Sequence, residues 1–313
     1  MKLPQKRFIC VGETVYDILF KEDKPVEGNP GGAMLNTSVS LGRLNENVVL
    51  VGDYANDAIG RLIEKFLVRN QVSIDYITRY NNGLSRIAIA VLNDNNDAEY
   101  SFYKIRKEGQ AELNYPAPTA NDLVMFGSFY GIKEEIRNSL TGFLKQCREA
   151  GSIVLYDPNF RKNHLKIKNQ VMPMLQENFR LAHITKGSDE DFQNILGTPD
   201  PKAIYEYVVS NGGKIFIRTA NKNGVTLCTP NIFKHYPVKD IPVISTVGAG
   251  DTFNAGLLYA LRHSHITADE LELLPEKNWD KIIRTAISFA EHVCMSYENY
   301  LSWDFAREVS NGH

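Results

Sequence analysis

The chain has little cysteine, no long apolar run and no excess of either charge. Its four cysteines, Cys10, Cys147, Cys228 and Cys294, are far apart, and no pair has metal-ligand spacing or suggests a disulfide framework. Each sits among apolar neighbours, so buried free thiols in a reducing compartment are expected. No segment approaches the ~18 uninterrupted apolar residues of a membrane span. The stretch before Phe8 leads into only a short apolar run, unlike a secretion signal, and a cytoplasmic location is expected. Lys and Arg number 35 against 37 Asp and Glu, a net charge of −2, which gives no electrostatic reason for a nucleic-acid or membrane partner. No internal repeat, low-complexity tract or long linker is visible. With 313 residues, 43% of them hydrophobic, the chain can bury a substantial core.

What is present is an alternation of two periodicities. Short apolar runs at Arg7 to Val11, Val48 to Val51, Leu123 to Phe126, Ile153 to Tyr156, Leu181 to Ile184 and Ile215 to Ile217 predict buried strands. Ile59, Leu62, Ile63, Phe66 and Leu67 recur at helical spacing, and Gly31-Gly32 precedes a small-faced helix through Leu35, Val39 and Leu41. Further helices are expected around residues 133–149, 168–178, 188–196 and 201–210. Strands alternating with helices predict an α/β fold of three αβα layers with a mostly parallel central sheet. Two stretches, about 14–28 and 85–105, break the alternation; the second reads as a hairpin around the polar turn 93–97. They are expected to form a small β-lid inserted into one domain spanning 1–313.

The most informative segment is Ser245-Thr246-Val247-Gly248-Ala249-Gly250-Asp251-Thr252-Phe253-Asn254-Ala255-Gly256, followed by the apolar Leu257, Leu258 and Leu261. Glycines let the backbone turn tightly and let a ligand approach the main chain. The first amides of the helix that follows lack internal partners and carry the positive end of its dipole, which suits an anion such as a phosphate. Asp251, on the same turn, is placed to accept a proton from a hydroxyl while the amides hold a phosphoryl group. Without a ligand, the same string would be a glycine turn capping a core helix.

With that turn, Gly31-Gly32-Ala33-Met34-Leu35-Asn36 and Asp157-Pro158-Asn159-Phe160-Arg161 in view, the chain resembles the ribokinase-like, PfkB-type carbohydrate kinases, most of all their fructokinase and 2-keto-3-deoxygluconate kinase branch. The resemblance spans nearly the whole chain. It implies ATP-dependent transfer of a phosphate to a primary hydroxyl of a ketose or sugar acid, with Asp251 as base. Gly248, Ala249, Gly250 and the Asp251 amide would form the anion hole. Asp17, Gly31, Gly32 and Asn36 match the sugar site, with Phe102 and Lys104 on the lid and Arg161 as a second cation. On the nucleotide side, Lys186, Ser188 and Asp191 stand at an Asn-x-x-Glu motif, where Asp191 would orient a magnesium-bound water. Ser188 and Asp191 have equally the spacing of a helix capping box. Thr219, Asn221 and Gly224 occupy the nucleotide turn. The implied cofactors are ATP and Mg2+, and the implied arrangement is a homodimer paired through lid strands at Ile87, Ile89 and Val91.

Several positions depart from the family pattern. Asn45 and Ala55 replace glycines, and Ser245 replaces an aspartate of the monovalent-cation loop, which weakens the expectation of a K+ site. Glu291 stands where an asparagine often lies near the adenine, and neighbouring His292 reads as a packed core histidine. A nucleoside kinase and a non-catalytic sugar-binding regulator on the same fold are the alternatives. A nicotinamide dehydrogenase would need Gly-x-Gly-x-x-Gly after the first strand, and Val11-Gly12-Glu13-Thr14 is not that.

Overall fold

A computed structural model describes residues 6–21, 24–92, 98–103 and 112–311. In chain order, the first strands are β1 (Phe8–Val11), β2 (Val15–Lys21) and β3 (Lys24–Gly31), followed by α1 (Ala33–Arg43). Then come β4 (Val48–Ala55), α2 (Ala58–Arg69), β5 (Val72–Ser73), β6 (Ile77–Tyr80), β7 (Ile87–Leu92) and β8 (Ala98–Tyr103). The middle of the chain alternates: β9 (Leu123–Gly127), α3 (Arg137–Glu149), β10 (Ile153–Asp157), α4 (Lys168–Leu181), β11 (Ile184–Ser188), α5 (Asp189–Leu196) and α6 (Pro201–Ser210). Last are β12 (Ile215–Thr219), β13 (Val225–Cys228), β14 (Phe233–Tyr236), α7 (Ala249–His263), α8 (Glu276–Cys294) and α9 (Trp303–Asn311).

The main sheet runs β14-β13-β12-β11-β10-β9-β1-β4-β5, with β6 also pairing β4. It is parallel from β12 to β5, and β13 and β14 close the far edge as antiparallel strands. Both faces are covered, which is why the strands read as continuous apolar runs rather than alternating ones. The period of two is nonetheless present in the packing. Phe8, Cys10, Leu50, Met125 and Leu155 enter one core with Leu35, Ile63, Leu257, Ile283 and Ala306 from α1, α2, α7, α8 and α9. Ile9, Val11, Val51, Phe126 and Tyr156 enter the other, with Leu144, Leu175, Phe192 and Ile204 from α3 to α6. The result is the three-layer αβα arrangement.

The two excursions meet in a second sheet of order β3-β2-β7-β8 among the described residues. β7 and β8 pair antiparallel, as a hairpin requires, and β2 joins them by a parallel pairing with β7. The expected turn at 93–97 lies outside the described residues.

Two expectations need correcting. The apolar run Leu181 to Ile184 is not one strand: α4 continues through Leu181, and β11 begins only at Ile184 and ends on the polar Thr185-Lys186-Gly187-Ser188. Four apolar residues shared between a buried helix end and a strand start carry no periodicity to divide them. The helix expected from 133 starts at Arg137, after two 3-10 turns. Of the cysteines, three are buried free thiols and Cys294 is half-buried.

Candidate active site

The parallel strands end on one edge of the sheet, at Val11, Gly127, Asp157, Ser188 and Thr219. Ligands of open α/β sheets bind outside these carboxyl ends. Gly248 caps α7 with φ 79° and ψ −9°, a left-handed conformation that favours glycine. Its carbonyl accepts both the N–H and the hydroxyl of Thr252 at 2.8 Å. The Ala249 N–H makes a long bond to the Thr246 carbonyl at 3.3 Å, whereas those of Gly250 and Asp251 find no acceptor among the described residues. The helix therefore presents two unpaired donors at its positive end.

Asp251 is held from α1. Asn36 Nδ2 donates to Asp251 Oδ2 at 2.8 Å, and the Thr37 hydroxyl donates to the Asp251 carbonyl at 2.9 Å. Burial pushes the Asp251 carboxyl up to about 6; Asp157 adds to the rise, and Asn36, Lys186 and Arg161 oppose it. A carboxyl with that value is mostly ionised at neutral pH and basic enough to take a proton. Asn36 Oδ1 is buried and has no partner among the described residues, leaving one acceptor beside the carboxylate.

Behind the turn lies a buried polar cluster. Lys186 Nζ, from β11, donates to Asp157 Oδ2 at 2.9 Å, and Asn254 Nδ2, one turn along α7 from Asp251, donates to the same oxygen at 2.7 Å. The Asn159 N–H donates to the other Asp157 oxygen at 3.1 Å. A Cβ added at Gly250 would sit 3.1 Å from Lys186 Nζ, so the ammonium reaches the anion turn itself. The sequence pointed to Lys186 but not to its partner Asp157, nor to Asn254, which donates to the same carboxylate oxygen. Their positions in the Asp-Pro-Asn run and three residues after Asp251 were the available signal.

The residues expected on the sugar side gather only in part. Asp17 on β2 faces Gly31, where an added Cβ would overlap its Oδ2, and burial raises its carboxyl to about 6. Gly32 has φ 120°, and a Cβ there would come within 2.6 Å of the Glu13 carbonyl, so glycine is required for close approach of α1 to the preceding chain. Phe102, on β8 opposite Ala88, is 63% exposed on the small sheet. Lys104 lies outside the described residues. Arg161 Nη1 donates to Glu190 Oε2 at 3.3 Å, with half of its side chain in solvent.

On the nucleotide side, Ser188 and Asp191 form the capping box. Asp191 Oδ2 accepts from the Ser188 N–H at 2.8 Å and hydroxyl at 2.7 Å, and Ser188 Oγ accepts the Asp191 N–H at 3.0 Å. Asp191 Oδ1 is buried without a partner among the described residues, and burial together with Asp157 raises this carboxyl. Thr219 pairs with Ser188 across β11 and β12, so the two motifs are neighbours. The following turn bonds internally from Ala220 to Gly224; Asn221 has φ 44° and Gly224 φ 77°. Glu291 is already engaged, its Oε1 accepting the Lys239 N–H at 3.0 Å. Ser245 Oγ accepts the Val247 N–H at 3.2 Å. His292 stacks on Phe305 with centroids 4.2 Å apart and meets Ser302 Oγ at 3.0 Å, a packing role. Among the described residues no group of three or more His, Cys, Asp or Glu is arranged to hold a metal, and no helix is long and apolar enough to cross a membrane.

Comparison with known proteins agrees with the fold. The chain is similar to the fructokinase of Escherichia coli, 26% identical over 267 residues that cover 84% of this chain and 87% of that one. Its fold is shared by a fructokinase from Xylella fastidiosa solved with bound ATP (TM-score 0.82, 20% identity, 98% of this chain and 99% of that chain covered). It is shared equally by the aminoimidazole riboside kinase of Salmonella enterica, solved with aminoimidazole riboside and an ATP analogue (TM-score 0.80, 19% identity, 97% and 99% covered). Residues 5–303 match the model of the pfkB family of carbohydrate kinases, and the chain belongs to that family.

Proposed function

We propose that this protein transfers the γ-phosphate of ATP to a primary hydroxyl of a ketose or sugar acid. The observation that carries the reading is the convergence of three groups on one point: the unpaired Gly250 and Asp251 amides, the Lys186 ammonium and the Asp251 carboxylate. The turn fits a phosphate. Gly250 leaves backbone bare where a side chain would crowd the Lys186 ammonium, and the two unpaired amides and that ammonium are donors suited to an anion. ATP, when bound, supplies the electrophilic phosphoryl group. Asp251 accepts the hydroxyl proton late in the transfer, and Asn36 keeps its carboxylate aimed. The amide dipoles and Lys186 stabilise negative charge as it develops, with no reorganisation needed at that moment.

Asp17, the backbone of Gly31 and Gly32, and Asn36 Oδ1 supply acceptors and close contact for sugar hydroxyls, with Arg161 and Lys104 as cations for an acidic group. The small sheet then closes over the site as a lid that excludes water. Asp191 Oδ1 is the atom that would hold a magnesium-bound water, and the ion would supply positive charge to the nucleotide's phosphates. Val243, Ile244 and Val247 are each more than half exposed just before the turn, apolar side chains suited to meet a purine. Thr219, Asn221 and Gly224 border the same end. Pairing of two copies through the lid strands belongs to this reading, and the mass in solution tests it.

The deciding experiment is ATP turnover with fructose, ketodeoxygluconate, tagatose, ribose and nucleosides. Turnover of a ketose or sugar acid is expected, with near-complete loss in a folded Asp251→Asn. Turnover of nucleosides alone would move the assignment to a nucleoside kinase. No turnover of any would leave a sugar-binding regulator.

A further inference from the structure

Helix α1 carries more than Asn36 and Thr37. One turn further along, Ser40 Oγ accepts the Leu301 N–H at 3.3 Å. Two turns along, Arg43 Nη1 donates to the Leu301 carbonyl at 2.7 Å and to Glu298 Oε2 at 2.6 Å, while its Nε donates to Asn70 Oδ1 at 2.8 Å. The Arg43 guanidinium also lies over the rings of Tyr300 at 4.5 Å and Trp303 at 5.4 Å, and only 9% of the side chain is exposed. The segment held in this way, 298–301, includes Asn299, whose backbone lies directly against Gly248. A Cβ on Gly248 would be 2.6 Å from Asn299 Cα. The end of α8, four residues before this segment, is fastened to the chain entering the turn, because the Ile244 and Ser245 N–H groups both donate to the Cys294 carbonyl at 2.8 and 3.3 Å.

We propose that Arg43 is a positioning residue for the anion turn. It clamps residues 298–301 to α1, so that Asn299 backs Gly248 and fixes the direction of the Gly250 and Asp251 amides. The same rigid helix sets Asp251 through Asn36, about 10 Å away along the helix axis. Acid and anion hole are thereby registered to one element. The role needs a planar fork with several donors that can also lie on aromatic rings, which a lysine cannot supply. The inference rests on the reading of the 248–251 turn as the phosphoryl site.

The test compares Arg43→Gln, Arg43→Lys and Glu298→Gln by hydrogen exchange of the folded proteins and by steady-state kinetics. In Arg43→Gln, the hydrogen-bonded amides within 246–252 (Ala249 and Thr252) and within 296–301 (Ser296 and Leu301) should exchange about tenfold faster or more, the factor for losing one charged hydrogen bond, while α3 to α6 stay unchanged. The kcat should fall by a similar factor with the sugar KM within about twofold, because the turn acts on the transferring group. Arg43→Lys should fall between Arg43→Gln and the parent. Glu298→Gln should change either readout by less than about twofold, since its carboxylate is half exposed and the Leu301 bond remains. If Arg43→Gln does not fold, Ser40→Ala should show the same pattern at about threefold. Faster exchange at 296–301 with 246–252 unchanged overturns the proposal, as does a kcat loss that only tracks the folded fraction. A parent protein without turnover would refute the kinase reading alone, and the exchange result would still judge the clamp.

Discussion

The Lys186–Asp157 pair offers a way to separate what the buried cluster does for folding from what it does for chemistry. Lys186 is 3% exposed and Asp157 2%, so either single neutralisation leaves one buried charge uncompensated. Lys186→Met strands the Asp157 carboxylate with the Asn254 and Asn159 donors; Asp157→Asn strands the ammonium with a single amide oxygen. Breaking a buried pair from one side costs about 3–5 kcal/mol. For a chain of 313 residues this is a fall in Tm of about 5–8 °C. The Asp157→Asn/Lys186→Met double variant removes both charges of the pair and should lose only about 1–2 kcal/mol, so the double-mutant cycle should give a coupling of about 4 kcal/mol or more. Turnover should behave differently. Without a cation beside Gly250, kcat should fall by about 100-fold or more in Lys186→Met, and the double variant should not recover it. Urea melts at neutral pH read the first quantity and ATP turnover the second. If the double variant is as unstable as the sum of the singles, the pair is not a coupled unit. If Lys186→Met keeps its kcat, the ammonium does not serve the transferring phosphate.

Because burial raises the Asp251 carboxyl to about 6, kcat/KM should rise tenfold per pH unit below that value and level off above it, and a flat profile from pH 5 to 8 would remove Asp251 as base. The sign for stability is opposite: a raised carboxyl favours folding when protonated, and that contribution is lost as pH rises from about 4 through about 6. Asp251→Asn, which stays neutral, should therefore gain stability relative to the parent over that window, measurable by Tm. Gly31→Ala drives a methyl into the Asp17 carboxylate and should raise the sugar KM about tenfold or more while leaving the ATP KM unchanged; equal effects on both would refute a sugar-side role. Asp191→Ala removes the capping box, costing about 1 kcal/mol, and should raise the Mg2+ needed for half-maximal turnover; an unaltered Mg2+ dependence would leave Asp191 as a cap alone.

The strands and helices were legible because burial on both faces leaves runs such as Phe8 to Val11 and spacings such as Ile59 to Leu67 in the chain itself. The glycine turn before α7 was legible because left-handed geometry at Gly248 and a helix start both demand particular local residues. The boundary at Leu181 was not, since helix and strand there share one apolar run. Nor could sequence choose between a cap and a metal role for Ser188 and Asp191. The same atoms satisfy the helix end whether or not a water is held.

By itself, then, the sequence determined the layers, the two-faced sheet and the glycine turn that sets Asp251 in the first turn of α7, all of which depend on local periodicity and backbone geometry. Only the tertiary structure decided that Asn36 aims Asp251, that Asp157 and Asn254 hold Lys186 beside Gly250, and that Arg43 ties the 298–301 segment behind Gly248. These contacts join residues 29 to 258 positions apart. Their existence depends on how sheet register and helix packing bring distant side chains within hydrogen-bond reach, and no local pattern records that.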